Sequence, residues 1–307
     1  MKDMLNAFSK QKRKAISICS GGMDSTSMGL AMLEEGYSVL FLHVDLEQKS
    51  QLGERLACKE IVKNLQSRSK PAFLMFINQS WLGRLGGSSL TDPSVEIPMG
   101  MESLELSAGA IGSLWTPARN VLLLACSSSV ADRTGADVIV WGANQSEIGY
   151  KDNTAEFGER FASMLELGCL NVKPKVFAPL YESDKPHILE WGWKHGYKDI
   201  YRWSWSCDCE PFVLNPKPVS LSKISPESIQ TLARDDLITC GKCGCTCNRR
   251  FAFLVAEKLW GIRDNQRYAD EQYFYEYYLP DLVERCTEKM WMYRYLDIAR
   301  EKLKEIR

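Results

Sequence analysis

The chain has 307 residues, enough for one large domain or two smaller ones, and its 45% hydrophobic and 25% charged content is that of an ordinary globular protein. Thirty-eight Lys plus Arg against 39 Asp plus Glu leave a net charge of −1, which removes any global electrostatic case for nucleic-acid binding. No apolar run reaches the roughly 18 residues of a membrane span, and the stretch after Lys14 is too short for a signal-peptide core, so a cytoplasmic location with no membrane contact is expected.

The run Lys10–Lys14 reads as the solvated start of a first strand. Ala15 to Cys19 is a short apolar run that ends at Ser20-Gly21-Gly22, which predicts a buried strand. A helix is expected to open at Asp24 or Ser25, with Met28, Leu30, Ala31 and Leu33 on its apolar positions, and to close at Glu34-Glu35-Gly36. Val39–Val44 predicts a second strand, Leu52–Leu65 a helix, and Ala72–Ile77 a third strand. Strands alternating with helices imply an α/β fold with a parallel sheet covered on both faces.

Asn78–Leu114 breaks this rhythm with six glycines and two prolines, and is expected to be a substrate lid rather than a disordered loop. Asn120–Ala131 then reads as a helix and Asp137–Trp141 as a strand. A helix follows Thr154, and another opens at Asp184-Lys185 and runs to about His195. Glu210–Ile238 is a polar insertion inside a cysteine-rich region, and the chain after Phe251 reads as helical and unusually aromatic. The expected division is 1–200 for the nucleotide-binding domain, 201–250 for a metal-binding region, and 251–307 for a helical extension.

Ser20-Gly21-Gly22-Met23-Asp24-Ser25-Thr26, placed between a strand and a helix, has the make-up of an oxyanion cradle. Glycines let backbone N–H groups approach an anion, Ser20, Ser25 and Thr26 add hydroxyl donors, and the helix N-terminus adds partial positive charge. Such a nest suits pyrophosphate as the leaving group of ATP. Asp24 is available to cap the helix or to hold Mg²⁺. No Gly-Lys-Ser/Thr follows, so this is not a Walker loop. Of eleven cysteines, six cluster between Cys207 and Cys247, a pattern of metal binding rather than disulfides. Cys240-x-x-Cys243 is a zinc knuckle by spacing.

The loop resembles that of the N-type ATP pyrophosphatases, the family of GMP, NAD and asparagine synthetases and tRNA-thiolating enzymes. That resemblance implies an adenine nucleotide alpha hydrolase-like sheet and cleavage of ATP to AMP and pyrophosphate. Later segments resemble, in order, the 7-cyano-7-deazaguanine (preQ0) synthases. They are Thr116-Pro117-Ala118-Arg119-Asn120, Gly142, Glu147 to Asp152, Asp184-Lys185, and Cys207 with Cys240, Cys243 and Cys247-Asn248-Arg249.

Carried over, the resemblance implies that Ser20, Gly21, Gly22, Asp24, Ser25 and Thr26 hold pyrophosphate. Asp45, Gln48, Asn120 and Gly142 then lie near the nucleotide, and Arg119, Lys185 and Asp24 serve catalysis. Glu147, Tyr150 and Asp152 would face 7-carboxy-7-deazaguanine. Cys207, Cys240, Cys243 and Cys247 would hold a structural Zn²⁺, with Cys209 and Cys245 as spare thiols or rival ligands.

The implied reaction is adenylation of the acid by ATP and attack by ammonia, giving an amide and then the nitrile. The sequence departs from that family at Lys151 and at Asn153-Thr154, and carries the insertion and the aromatic tail. Relatives found in anti-phage operons resemble ligases that join the acyl group to a partner protein's N-terminal amine, which makes such a conjugating ligase the alternative. The C-terminal helices would then serve a homodimer or that partner. A sulfur-transferring relative would need a cysteine pair near the loop, and the sequence shows no evident companion for Cys19.

Overall fold

The computed structural model describes residues 1–103, 112–145, 150–215 and 217–306. Five strands, β1 (Lys14–Ile18), β2 (Ser38–Asp45), β3 (Ala72–Asn78), β4 (Val138–Val140) and β5 (Lys175–Phe177), form one parallel sheet in the order β3-β2-β1-β4-β5. The fold is therefore α/β, as the alternation predicts. Residues pointing to opposite faces alternate along each strand. Ala15, Val39, Phe41, Val138 and Val140 join one core with the helices Met23–Glu34 and Gln51–Ser67. Ile16, Leu40, Leu42 and Ile139 join the other core, with Phe8 and with Leu124, Ala131 and Phe161 from the helices Arg119–Thr134 and Ala155–Gly168. Covering on both faces explains why all eight residues of β2 are buried.

The chain moves outward from β1 to β2 and β3, then returns to place β4 on the other side of β1. The strand order thus reverses beside β1, and the crevice beyond the carboxyl ends of β1 and β4 is where open α/β sheets bind ligands. The loop Cys19–Gly22 leaves β1 at this point. The helix Met23–Glu34 is buried almost all round, since a third core seals its start. That core joins Met23, Leu189 and Tyr201 to the helices Gly244–Trp260, Leu279–Arg285 and Leu296–Ile306.

Several sequence expectations change in the structure. An unforeseen helix, Lys2–Ser9, precedes β1, and its fully buried Phe8 packs edge-on against Phe73 at 5.3 Å. Lys14 Nζ donates to the Ser9 and Gln11 carbonyls, so the basic run partly serves that helix end. The described part of the glycine-rich stretch is packed rather than loose. Leu82, Ser88, Ser89 and Met101 are buried, Lys49 N–H donates to Leu90 O at 2.9 Å, and Gly100 N–H donates to Lys242 O at 2.8 Å.

The insertion builds its own antiparallel sheet, with β6 (Phe212–Asn215) between β7 (Lys217–Ser220) and β8 (Leu237–Ile238). Much of the aromatic tail packs inward: Tyr268, Phe274, Tyr278 and Trp291 are buried, Tyr273, Tyr275 and Tyr295 are half-buried, and Tyr277 and Tyr293 are exposed. Among the described residues no helix is long and apolar enough to cross a membrane.

Candidate active site

The turn after β1 is shaped by Gly21. Its φ of +77° is left-handed, and a Cβ there would lie 2.9 Å from Ala57 Cβ and 3.0 Å from the Glu54 carbonyl. Gly21→Ala is therefore expected to cost at least about 1–2 kcal/mol, the left-handed penalty alone, with a lower Tm and weaker ATP binding. Gly22 has an ordinary φ of −71° and its nearest contacts at 3.4 Å. Gly22→Ala, at the N-cap of the helix Met23–Glu34, should lose less Tm than Gly21→Ala while blocking close approach of a phosphate. Thermal denaturation and ATP titration of both variants check the contrast, and equal Tm losses would contradict it.

The turn is tied internally. Ser20 N–H donates to Ser25 Oγ at 3.2 Å, the two hydroxyls lie 3.0 Å apart, and Trp205 N–H donates to the Gly21 carbonyl at 2.7 Å. Ser20, Gly22, Asp24 and Ser25 line a cavity of about 310 Å³. Gly142, beyond β4, lines it too and sits so close that a Cβ would fall 3.2 Å from Ser25. Thr26 is fully buried beneath the turn, and neither it nor Gly21 lines the cavity. In this structure both stand behind the cavity-lining residues of the turn.

Asp45 is likewise displaced from its expected place. Its carboxylate is buried against His43 Nε2 at 3.1 Å and against Arg55, and it does not reach the cavity. Burial pushes the Asp45 carboxyl up, but the His43, Gln51 and Arg55 partners outweigh it and hold the group below the ordinary range. Burial pushes His43 down, yet Asp45 and Glu54 leave it above its ordinary value. His43 Nδ1 lies 2.9 Å from the Cys19 carbonyl, so this buried pair braces the start of the turn. Gln48 does line the cavity, donating to Glu54 at 2.7 Å and accepting from Leu46 N–H at 2.7 Å.

Cys19 also has a companion that spacing in the sequence concealed. Cys58 Sγ lies 3.7 Å from Cys19 Sγ, and the Cys58 hydrogen bond is the main cause drawing the Cys19 thiol down to about 7.

Asp24 forms an ion pair with Lys185, and Asn144 Nδ2 donates to the same carboxylate oxygen at 3.4 Å. The other oxygen, Oδ1, is buried and has no hydrogen-bond partner. A buried, hard carboxylate oxygen left without a hydrogen-bond partner suits a divalent cation such as Mg²⁺. Lys185 arrives where the sequence placed it, as the first residue of the helix Lys185–Lys194. Asp184 caps that helix by accepting from His187 N–H at 3.2 Å.

Arg119, Asn120, Asn153 and Lys185 line both the first cavity and a second one of about 200 Å³. Tyr150 and Asp152 line the second, where Trp115 stacks on Tyr150 at 5.7 Å between ring centroids and 7° between planes. Burial lifts the Asp152 carboxyl above its ordinary value against the pull of Arg119. Asn120 donates to the Asp152 backbone carbonyl at 3.3 Å, which ties the two motif segments together. Glu147 lies outside the described residues.

Four sulfur atoms, those of Cys207, Cys209, Cys240 and Cys243, lie within 4.8 Å of one another. Zn–S bonds of about 2.3 Å make the edge of a tetrahedral four-thiolate site about 3.8 Å. The Cys243–Cys207 sulfur separation is 3.8 Å. N–H groups of Lys242 and Cys243 point at Cys240 Sγ at 3.3 and 3.2 Å, and that of Asp208 at Cys243 Sγ at 3.4 Å. Such donors stabilise thiolates, so the quartet fits a closed structural metal site. Cys247 stands outside it, aimed at the Lys242 carbonyl at 3.4 Å, and Cys209 takes the expected place of Cys247. The helix Gly244–Trp260 starts immediately after Cys243, and its first turns turn Cys247 away from the cluster.

Sequence reasoning missed Trp115 and Asp208 and gave Cys245 and Asn248 no place in a cavity, yet Asp208, Cys245 and Asn248 line both cavities. Asp208, lodged between two cysteines of the cluster, carried the one local signal.

Residues 14–257 match the family described as Queuosine biosynthesis protein QueC. The chain is 31% identical over 264 residues to the 7-cyano-7-deazaguanine synthase of Methanocaldococcus jannaschii, covering 84% of this chain and 100% of that protein. It is 29% identical over 262 residues to the synthase of Methanococcus maripaludis strain C7, with the same coverage of 84% and 100%. Against the synthase of Campylobacter jejuni subsp. doylei it is 31% identical over 198 residues, which are 64% of this chain and 84% of that one. With the match running from β1 through the cysteine quartet, the protein belongs to the QueC family.

Proposed function

We propose that this chain uses ATP to adenylate the carboxylate of 7-carboxy-7-deazaguanine and transfers the acyl group to an amine, nominally ammonia. The observation that carries the reading is the pair of joined cavities with Arg119 and Lys185 in their shared wall. One cavity is floored by the phosphate turn, and the other is flanked by the Trp115–Tyr150 stack. An acid in the second cavity and the α-phosphate of ATP in the first would meet at the two cations.

A carboxylate oxygen attacks the α-phosphorus and pyrophosphate leaves. Backbone N–H groups at Gly22 and the Ser20 and Ser25 hydroxyls receive its charge. Arg119 and Lys185 stabilise the crowded phosphate oxygens in the transition state. Mg²⁺ held by Asp24 would add further charge neutralisation at the phosphates. The amine nitrogen then attacks the acyl carbon and AMP leaves, giving the amide. Adenylation of the amide oxygen by a second ATP, followed by loss of AMP and the N–H protons, gives the nitrile. Tyr150 stacks on the flat heterocycle, and Asp152 accepts from its N–H edge. Zn²⁺ held by Cys207, Cys209, Cys240 and Cys243 would be structural, since four thiolates leave it no open position.

The test supplies the protein with ATP, Mg²⁺, ammonium and the acid, and follows the products by mass spectrometry. Acid-dependent release of AMP and pyrophosphate with appearance of the nitrile is expected. Acid-dependent AMP release without nitrile, together with a mass gain on the N-terminus of a protein encoded nearby, would replace ammonia by a protein amine and place the chain with the anti-phage ligases. No acid-dependent ATP cleavage would reject the reading.

A further inference from the structure

One wall of the second cavity comes from residues that lie beyond the QueC match. That match ends at residue 257, yet Lys289, Met290, Trp291 and Met292 line the cavity beside Trp115 and Tyr150. The segment is held firmly. The Trp291 ring lies 5.7 Å from that of Phe251 and 6.1 Å from that of Tyr295. The Tyr278 hydroxyl donates to Met292 Sδ at 3.2 Å, and the Tyr295 hydroxyl donates to Asp184 at 2.9 Å, next to Lys185. Met290, Trp291 and Met292 are buried, while Lys289 is exposed. The wall is therefore apolar and aromatic within, with a cation where it meets solvent.

We infer that Lys289–Met292 is a specificity-determining element for the carboxylate substrate, selecting a flat heteroaromatic acid. Thioether and indole surfaces suit the face of an aromatic ring. A lysine at the opening draws in an anion and disfavours an uncharged ring of the same shape. The inference rests on the adenylation reading, and it assigns to the C-terminal extension a part in substrate choice that its position outside the family match conceals. The anchoring at Asp184 also couples the wall to the helix that presents Lys185.

The test measures KM for 7-carboxy-7-deazaguanine and for ATP separately in Lys289→Glu and Trp291→Leu. Trp291→Leu should raise the KM for the acid about tenfold, the scale of removing apolar contact from a binding pocket. ATP affinity should stay unchanged. Lys289→Glu, at an exposed position that does not threaten folding, should raise the KM for the acid roughly fivefold at low salt and by much less at high salt. An unchanged KM for the acid in Lys289→Glu, or equal losses of acid and ATP binding, would overturn the inference. Absence of acid-dependent ATP cleavage in the wild type would instead overturn the reading on which it rests.

Discussion

Lys185→Met is expected to lower acid-dependent ATP–pyrophosphate exchange by roughly 10²–10³-fold, the scale of removing one preorganised charge from a transition state. The side chain is nearly buried, with 10% exposure, and its ammonium is paired with Asp24, itself at 16%. Removing only the cation strands a carboxylate in a poorly hydrated place, which typically costs about 3–5 kcal/mol. The single variant should therefore lose stability as well as activity. Asp24→Asn should lose activity too, because the unpartnered Oδ1 is the oxygen available to Mg²⁺. The double variant Asp24→Asn/Lys185→Met separates the two effects. With both charges gone, its Tm should recover much of the loss seen in Lys185→Met, while exchange stays no better than in the worse single variant. Recovery of exchange along with Tm would mean that the pair only props up the fold. Circular dichroism melts and labelled pyrophosphate exchange on the same preparations decide it.

Metal content should distinguish Cys209 from Cys247. Purified protein is expected to hold one equivalent of Zn²⁺, and Cys209→Ser and Cys243→Ser should lose it, whereas Cys247→Ser should keep it. Elemental analysis reads this directly, and retention in Cys209→Ser with loss in Cys247→Ser would reverse the assignment. The structural cost of losing the metal should be several kcal/mol, since site formation and folding are linked. The reason lies in what the quartet joins. Cys207 follows Trp205 and Ser206 in the wall of the first cavity, while Cys243 starts the helix that brings Cys245 and Asn248 to both cavities. A metal across Cys207, Cys209, Cys240 and Cys243 would clamp these two segments together. Chelation should therefore weaken ATP binding without any contact between metal and nucleotide, with a Tm loss of the same order as that in Cys243→Ser.

Local patterns carried the central part of the architecture. The apolar runs at β1, β2 and β3, the glycine turn after β1 and the Asp184 cap are short-range events, where a few neighbouring residues settle backbone conformation. Features that depend on distant partners were illegible. The helix Lys2–Ser9 is too short to stand alone and exists because Phe8 finds Phe73. The aromatic tail left helix packing, a homodimer and partner docking open, and Phe274, Tyr278 and Trp291 turn inward where Met23, Leu189 and Phe251 offer them a core.

The candidate site divides along the same line. Sequence by itself determined which residue types are present, and that Ser20–Ser25, Arg119, Lys185 and Cys240-x-x-Cys243 stand in the order of one family. Tertiary structure decided where they meet. Strand order put Gly142 against Ser25, the His43–Asp45–Arg55 cluster drew Asp45 out of the cavity, and helical phase chose Cys209 over Cys247. The physical reason is range. Hydrogen-bonded turns and caps are set within a few residues, whereas a cavity wall or a four-thiolate cluster is a meeting of segments whose separation only the packed cores fix.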